Sequence, residues 1–122
     1  MTCQNQTMAA HFYGNRLQVI DEEAIADAVG RIVEAFSPRR IVIFGSVARG
    51  EAGPDSDLDL FVEMESGLSP IERGIAIRRL LSHVRFPLDV FVYTPAEAAD
   101  ARTRFGNLMS YVDAEGKVVY ER

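Results

Sequence analysis

The chain has little of what several protein classes depend on. It carries one cysteine, Cys3, in 122 residues, so no internal disulfide can form. His11 and His83 are its only histidines, too few with that lone thiol for a structural zinc site of the Cys/His kind. Any metal bound here is therefore held by oxygens. No hydrophobic run approaches the roughly 18 residues of a membrane span. Residues 1–6 offer neither the basic nor the apolar region of an export signal, so the expectation is a cytoplasmic protein. Basic charge is also scarce, with 13 Lys+Arg against 18 Asp+Glu and a net charge of −5. That balance excludes wrapping a phosphate backbone by bulk charge, while leaving room for a small basic patch.

What is present fits one compact domain: 48% hydrophobic and 25% charged residues in a length that supports a single core. Residues 1–20 are expected to be a flexible N-terminal segment, with His11, Phe12 and Tyr13 a short anchoring patch, and residues 21–122 the folded unit. Ile25, Ala28, Val29, Ile32, Val33 and Phe36 recur at helical spacing, with Asp21 to cap the start and Pro38 to stop the helix. The run 41–44 is continuously apolar and reads as a strand buried on both faces. It ends at Gly45-Ser46, and a loop rich in turn formers follows.

Residues 57–62, Asp-Leu-Asp-Leu-Phe-Val, alternate. With a period of two, Leu58, Leu60 and Val62 share one strand face, while Asp57, Asp59 and Phe61 share the other. Ser69-Pro70-Ile71-Glu72 is a capping box opening a helix to about His83, with Ile77, Leu80, Leu81 and Val84 as its buried stripe. A third strand, 88–93, carries Asp89. Thr94-Pro95-Ala96-Glu97 repeats the capping signature and opens a helical stretch to roughly Asp113, with a break expected near Gly106. A last strand covers 117–120.

Carboxylates inside strands are disfavoured both by strand preference and by burial, so Asp57, Asp59 and Asp89 need an explanation. A shared divalent cation supplies one. An Asp-x-Asp pair on one strand face sets two oxygen ligands about 7 Å apart at Cα, and a carboxylate from a neighbouring strand completes the cluster. The Gly45-Ser46 turn supplies a phosphate site: Gly45 lets the backbone turn sharply and approach a ligand, and Ser46 to Arg49 can start a helix whose free N–H groups face an anion. Arg49 adds a cation, and Ser56 reads equally as a turn residue or a helper at the site. Gly45 and Gly50 have Walker A spacing, but Glu51-Ala52 stands where Lys-Ser/Thr belongs, so that reading fails. Arg73, Arg78, Arg79 and Arg85 read as the solvated face of an amphipathic helix rather than an RNA surface. Tyr93, Tyr111 and Tyr120 read as packing residues.

The run Gly45-Ser46-Val47-Ala48-Arg49-Gly50 with Ser56-Asp57-Leu58-Asp59-Leu60 resembles the signature of the nucleotidyltransferase superfamily related to DNA polymerase beta. More narrowly, it is similar to the minimal nucleotidyltransferases, the MNT proteins of HEPN/MNT pairs. The resemblance implies an α/β (α+β) nucleotidyltransferase fold, a small mixed and mostly antiparallel sheet flanked by helices. It makes Gly45 and Ser46 the phosphate-binding turn, Asp57 and Asp59 the metal-binding pair and Asp89 the third carboxylate. It further implies two Mg²⁺ ions, ATP as the nucleotide, and AMP transfer to a tyrosine of a HEPN-type toxin partner, so that the protein serves as an antitoxin. Two alternatives stay open on sequence: a non-catalytic antitoxin acting by contact, and a small-molecule nucleotidyltransferase of the antibiotic-modifying kind.

Overall fold

In the computed structural model, the structure describes residues 19–53 and 55–122. The expected N-terminal anchoring patch at His11, Phe12 and Tyr13 lies outside the described residues. The elements run α1 (Glu22–Phe36), β1 (Arg40–Phe44), α2 (Gly45–Ala48), β2 (Leu58–Glu63), α3 (Pro70–Leu80), β3 (Leu88–Tyr93), α4 (Pro95–Ala101), α5 (Leu108–Glu115) and β4 (Lys117–Glu121). The strand order is β3-β2-β1-β4, with β1 antiparallel to both β2 and β4 and β2 parallel to β3. This is the mixed, mostly antiparallel sheet that the sequence leads one to expect.

Local chemistry starts and stops each helix. The Asp21 carboxylate accepts the Ala24 N–H at 2.8 Å to cap α1. Ser37 closes that helix in the left-handed region, and Pro38 follows it. Both Ser-Pro-x-Glu and Thr-Pro-x-Glu form complete capping boxes, at the starts of α3 and α4. The third helix ends at Leu80, three residues short of the expected His83; residues 81–83 form a turn in which Val84 N–H reaches back to the Leu81 carbonyl. The break expected near Gly106 separates α4 from α5, and Gly106 takes a positive φ of 75° there.

The two faces of the sheet pack differently. On one, Leu58, Leu60 and Val62 of β2, Ile41 and Ile43 of β1, and Val90 and Val92 of β3 meet α1 and α3 through Ala28, Ile32, Ile77 and Leu81. Burying each such Leu or Ile contributes about 2 kcal/mol, so this face fixes the register. On the other, Val42, Phe44 and Phe61 pack under α4 and α5 against Ala98, Ala101, Met109 and Val112. Gly116, between α5 and β4, lies so close to Val42 and the Val112 carbonyl that a side chain there would collide with both.

Two readings of single residues are corrected, those of Arg73 and Tyr111. Arg73, expected on a solvated helix face, is 5% exposed. Its guanidinium donates to Glu97 at 2.6 Å and to the Leu68 carbonyl at 3.0 Å, a buried tie between the starts of α3 and α4. Arg78 is exposed, as expected, and its guanidinium donates to the Leu88 carbonyl at 2.7 Å. Tyr111, expected to pack, is 61% exposed, whereas Tyr93 does pack, edge-on to Phe61 at 5.4 Å.

Candidate active site

The face of β2 and β3 that carries Phe61 is covered by α4 and α5 only at one end. At the other end the same alternation presents acids. Parallel pairing sets Asp59 directly opposite Asp89, and Phe44 at the end of β1 pairs with Asp59 from the other side. Asp57 lies just before β2, whose first residue is Leu58. Carboxylate oxygens of Asp57, Asp59 and Asp89 all lie within 4.8 Å of one another.

Three carboxylates this close repel one another. At Asp59, partial burial first, then the charges of Asp89 and Asp57 and a hydrogen bond shared with Asp89, push the carboxyl up to about 6, opposed by the Arg49 guanidinium. A bound cation would remove the repulsion and satisfy the oxygens together, and hard oxygen donors in this number suit Mg²⁺. The donor set therefore fits the metal that the resemblance implies.

Gly45 explains why the turn must be glycine. Its φ of 76° disfavours any side chain, and a Cβ at that position would strike the Asp59 carboxylate. The Gly45-Ser46 turn and Asp59 are thus in close contact. Gly45 opens the short α2 and Ser46 follows it; Phe44 at the N-cap position gives no side-chain hydrogen bond to the first-turn N–H groups.

Arg49 is exposed at the end of α2 and bridges Glu51 and Glu115, each at 2.9 Å, which raise its pKa. It is near enough to Asp59 to act on its charge, while its Nε and Nη1 are engaged with these two acids. The Ser56 hydroxyl accepts the Gly53 N–H at 2.8 Å, so in this structure it serves the turn.

Two features escaped the sequence. Arg78 Nη2 stands 3.8 Å from Asp89 Oδ1, although helical spacing gave no sign that it would reach β3. Phe44 and Phe91 meet across β2 with ring centroids 5.8 Å apart and adjoin the carboxylates; the alternation of β1 and β3, taken together with the register, carried that signal.

A groove of about 1170 Å³ lies elsewhere, between α1 and β4, lined by residues such as Ile25, Val29, Val33, Val119 and Tyr120. Its lining is mostly aliphatic, and the three aspartates are not part of it. Among the described residues no helix is long and apolar enough to cross a membrane.

The model of the nucleotidyltransferase domain family matches residues 23–119. The chain belongs to that family. No curated protein matches it. Among solved structures, a candidate nucleotidyltransferase from Sulfolobus solfataricus has a TM-score of 0.58 at 16% identity, over 100% of this chain and 93% of the other. A toxin-antitoxin MntA-HpeT complex in mutant form gives 0.58 at 20%, over 85% and 75%. A toxin-antitoxin structure with AMP-PNP gives 0.52 at 19%, over 79% and 73%. At these identities the likeness is one of fold. Family membership makes this a nucleotidyltransferase domain, and within it Asp57, Asp59 and Asp89 form the cluster suited to a metal.

Proposed function

We propose that this nucleotidyltransferase, with residues 21–122 as its working unit, transfers AMP from ATP to a tyrosine hydroxyl of a HEPN-type toxin and so acts as an antitoxin. The single observation carrying the catalytic part is the convergence of Asp57, Asp59 and Asp89 within 4.8 Å, beside a glycine turn that only hydrogen at Cα permits. The likeness to toxin-antitoxin structures supports the partner.

In this reading Asp57 and Asp59 hold Mg²⁺, with Asp89 as the third ligand. Ions held there would supply charge stabilisation for an in-line displacement at the α-phosphorus. Gly45 and the uncapped turn at Ser46 receive the phosphates of ATP, and Arg49 steadies their charge after exchanging Glu51 or Glu115 for phosphate oxygen. Asp89, on the edge strand, faces the incoming hydroxyl and takes its proton. The tyrosine oxygen bonds to the α-phosphorus, the bond to the β-phosphate oxygen breaks, and pyrophosphate leaves.

The test is incubation with α-labelled ATP, Mg²⁺ and the HEPN-type toxin, beside an Asp57→Ala/Asp59→Ala double variant. Label on the toxin with the native chain alone supports the reading. Label with both proteins refutes the assignment of the acids. Tight complex formation without label by both refutes transfer and leaves an antitoxin that acts by contact.

A further inference from the structure

The face that carries the acids also carries an aromatic residue which the fold leaves uncovered. Along β3 the residues on this face are Asp89, Phe91 and Tyr93; along β2 they are Asp57, Asp59 and Phe61, with Asp59 paired to Asp89 and Phe61 to Phe91. Phe61 is fully buried and Tyr93 packs against it under the helices, but Phe91 remains 37% exposed. Its ring reaches over β2 to Phe44, which is buried and immediately precedes the Gly45 turn. The result is an apolar step beside the three carboxylates, one strand pleat, about 7 Å, from Asp89.

In-line displacement decides which substrate meets this step. The leaving pyrophosphate lies toward the Gly45-Ser46 turn, at the end of β1. The attacking hydroxyl must then approach from the opposite side of the α-phosphorus, across β2 toward β3. Because β3 is an edge strand, no further strand of the described sheet lies beyond it, and the half-exposed Arg78 side chain stands beside Asp89 there. A hydroxyl brought to Asp89 on this face has Phe91 as its neighbour along the strand, two residues on.

We propose that Phe91, seated on Phe44, is the acceptor-binding residue of this site and receives the ring of a phenolic side chain, which selects an aromatic hydroxyl over an aliphatic one. This rests on the AMP-transfer reading above. Phe91 offers a half-exposed ring whose edge or face can take a second ring at the usual centroid spacing of about 4.5–7 Å. A serine or threonine acceptor would leave it in water. The contribution expected of one such ring contact is about three- to tenfold in acceptor affinity, with nucleotide affinity unaffected.

The experiment uses the full chain with Mn²⁺ and α,β-methylene-ATP, whose α–β bridge cannot be cleaved, and reads paramagnetic relaxation of two small probes, N-acetyl-tyrosinamide and N-acetyl-serinamide, by proton NMR. The nucleotide's own protons serve as the first readout: if Mn²⁺ does not relax them in the native protein, the AMP-transfer reading fails by itself. With that signal present, tyrosinamide ring protons are expected to relax saturably. Serinamide is expected to show at least threefold weaker binding. Phe91→Leu keeps an apolar side chain and the fold while removing the ring, and Phe91→Ala removes both; each is expected to weaken tyrosinamide binding three- to tenfold without changing the nucleotide signal. The proposal is overturned if tyrosinamide does not bind the native protein, if serinamide binds as well, if both variants bind tyrosinamide like the native chain, or if they lose nucleotide and acceptor together.

Discussion

Replacing Asp59 with asparagine should stabilise the metal-free protein while removing its capacity for a divalent cation. Asp59 has its carboxyl pushed up to about 6 from an ordinary 3.8, first by burial and then by Asp89 and Asp57. An acid with a raised folded pKa binds more protons in the native than in the unfolded state between those values. Stability is therefore greatest below about pH 4 and is lost as pH rises through about 6. The full shift of about 2 pKa units corresponds to ~3 kcal/mol at most, and the partial exposure of the carboxylate reduces this to about 1–2 kcal/mol through solvent screening. Asparagine has nearly the same shape and never ionises. In EDTA at pH 8, Asp59→Asn should raise Tm by about 4–8 °C, taking about 4 °C per kcal/mol for a domain of this size. At pH 4 the difference should nearly vanish. Adding Mg²⁺ should raise the Tm of the native chain in a concentration-dependent way and leave the variant nearly unmoved. Differential scanning fluorimetry across pH 4–8, with and without the metal, measures all three. A variant that melts at or below the native protein at pH 8 without metal would refute the account of a frustrated carboxylate cluster.

Three further outcomes follow from neighbouring geometry. Gly45→Ala forces a side chain into a left-handed position and against Asp59, so it should cost at least about 1–2 kcal/mol in thermal unfolding and lower the Mn²⁺ affinity of the cluster in a titration. Glu97→Ala should destabilise more than Arg73→Met, by about 1–2 kcal/mol in urea unfolding. The first strands a guanidinium whose side chain is 6% exposed and removes half of a capping box, whereas the second leaves a carboxylate that is 43% exposed. The same pair gives an acid limb: Arg73 first, then the Thr94 N–H, hold the Glu97 pKa below its usual range, so its share of stability is present above the ordinary glutamate value and is lost as pH falls below it. Glu97→Gln should flatten that limb in melts taken from pH 6 down to pH 3.

The elements that were legible in the sequence are those where one local rule acts alone. Ser69 and Thr94 with Pro and Glu behind them admit one structure, and both capping boxes formed. The alternation of 57–62 sorted Leu58, Leu60 and Val62 from Asp59 and Phe61, and the two sheet faces follow that sorting. What could not be read depended on partners distant in the chain. Helical spacing sets Arg73 in line with Ile77, Leu80 and Val84, so its burial was legible; that Glu97 of α4 meets it there was not. Likewise Arg78 reaches Asp89 only because α3 lies along β3. Arg49 was legible as a cation near the turn; its engagement with Glu115, 66 residues away, was not.

The register of β2 against β3 links stability to the site more tightly than any single contact. In a strand the side-chain period is two, so a slip of one residue would carry Leu58, Leu60 and Val62 out of the core and turn Asp57 and Asp59 into it. The cost would combine three buried aliphatic side chains, each worth about 2 kcal/mol, with burial of unpaired carboxylates. Parallel pairing of Asp59 with Asp89 is thus enforced from the opposite face, by residues with no part in the chemistry. The aliphatic face thus holds the strands in place against the repulsion among the acids, while burial first, then the charges of Asp89 and Asp57, raise the pKa of Asp59. Enlarging the core at Ala28, which is fully buried on that face, should therefore disturb metal affinity although it lies on α1. Ala28→Val, measured by Mn²⁺ titration and thermal melting together, should lose both stability and affinity; loss of stability alone would show that the site is held by its own strands without the core beneath them.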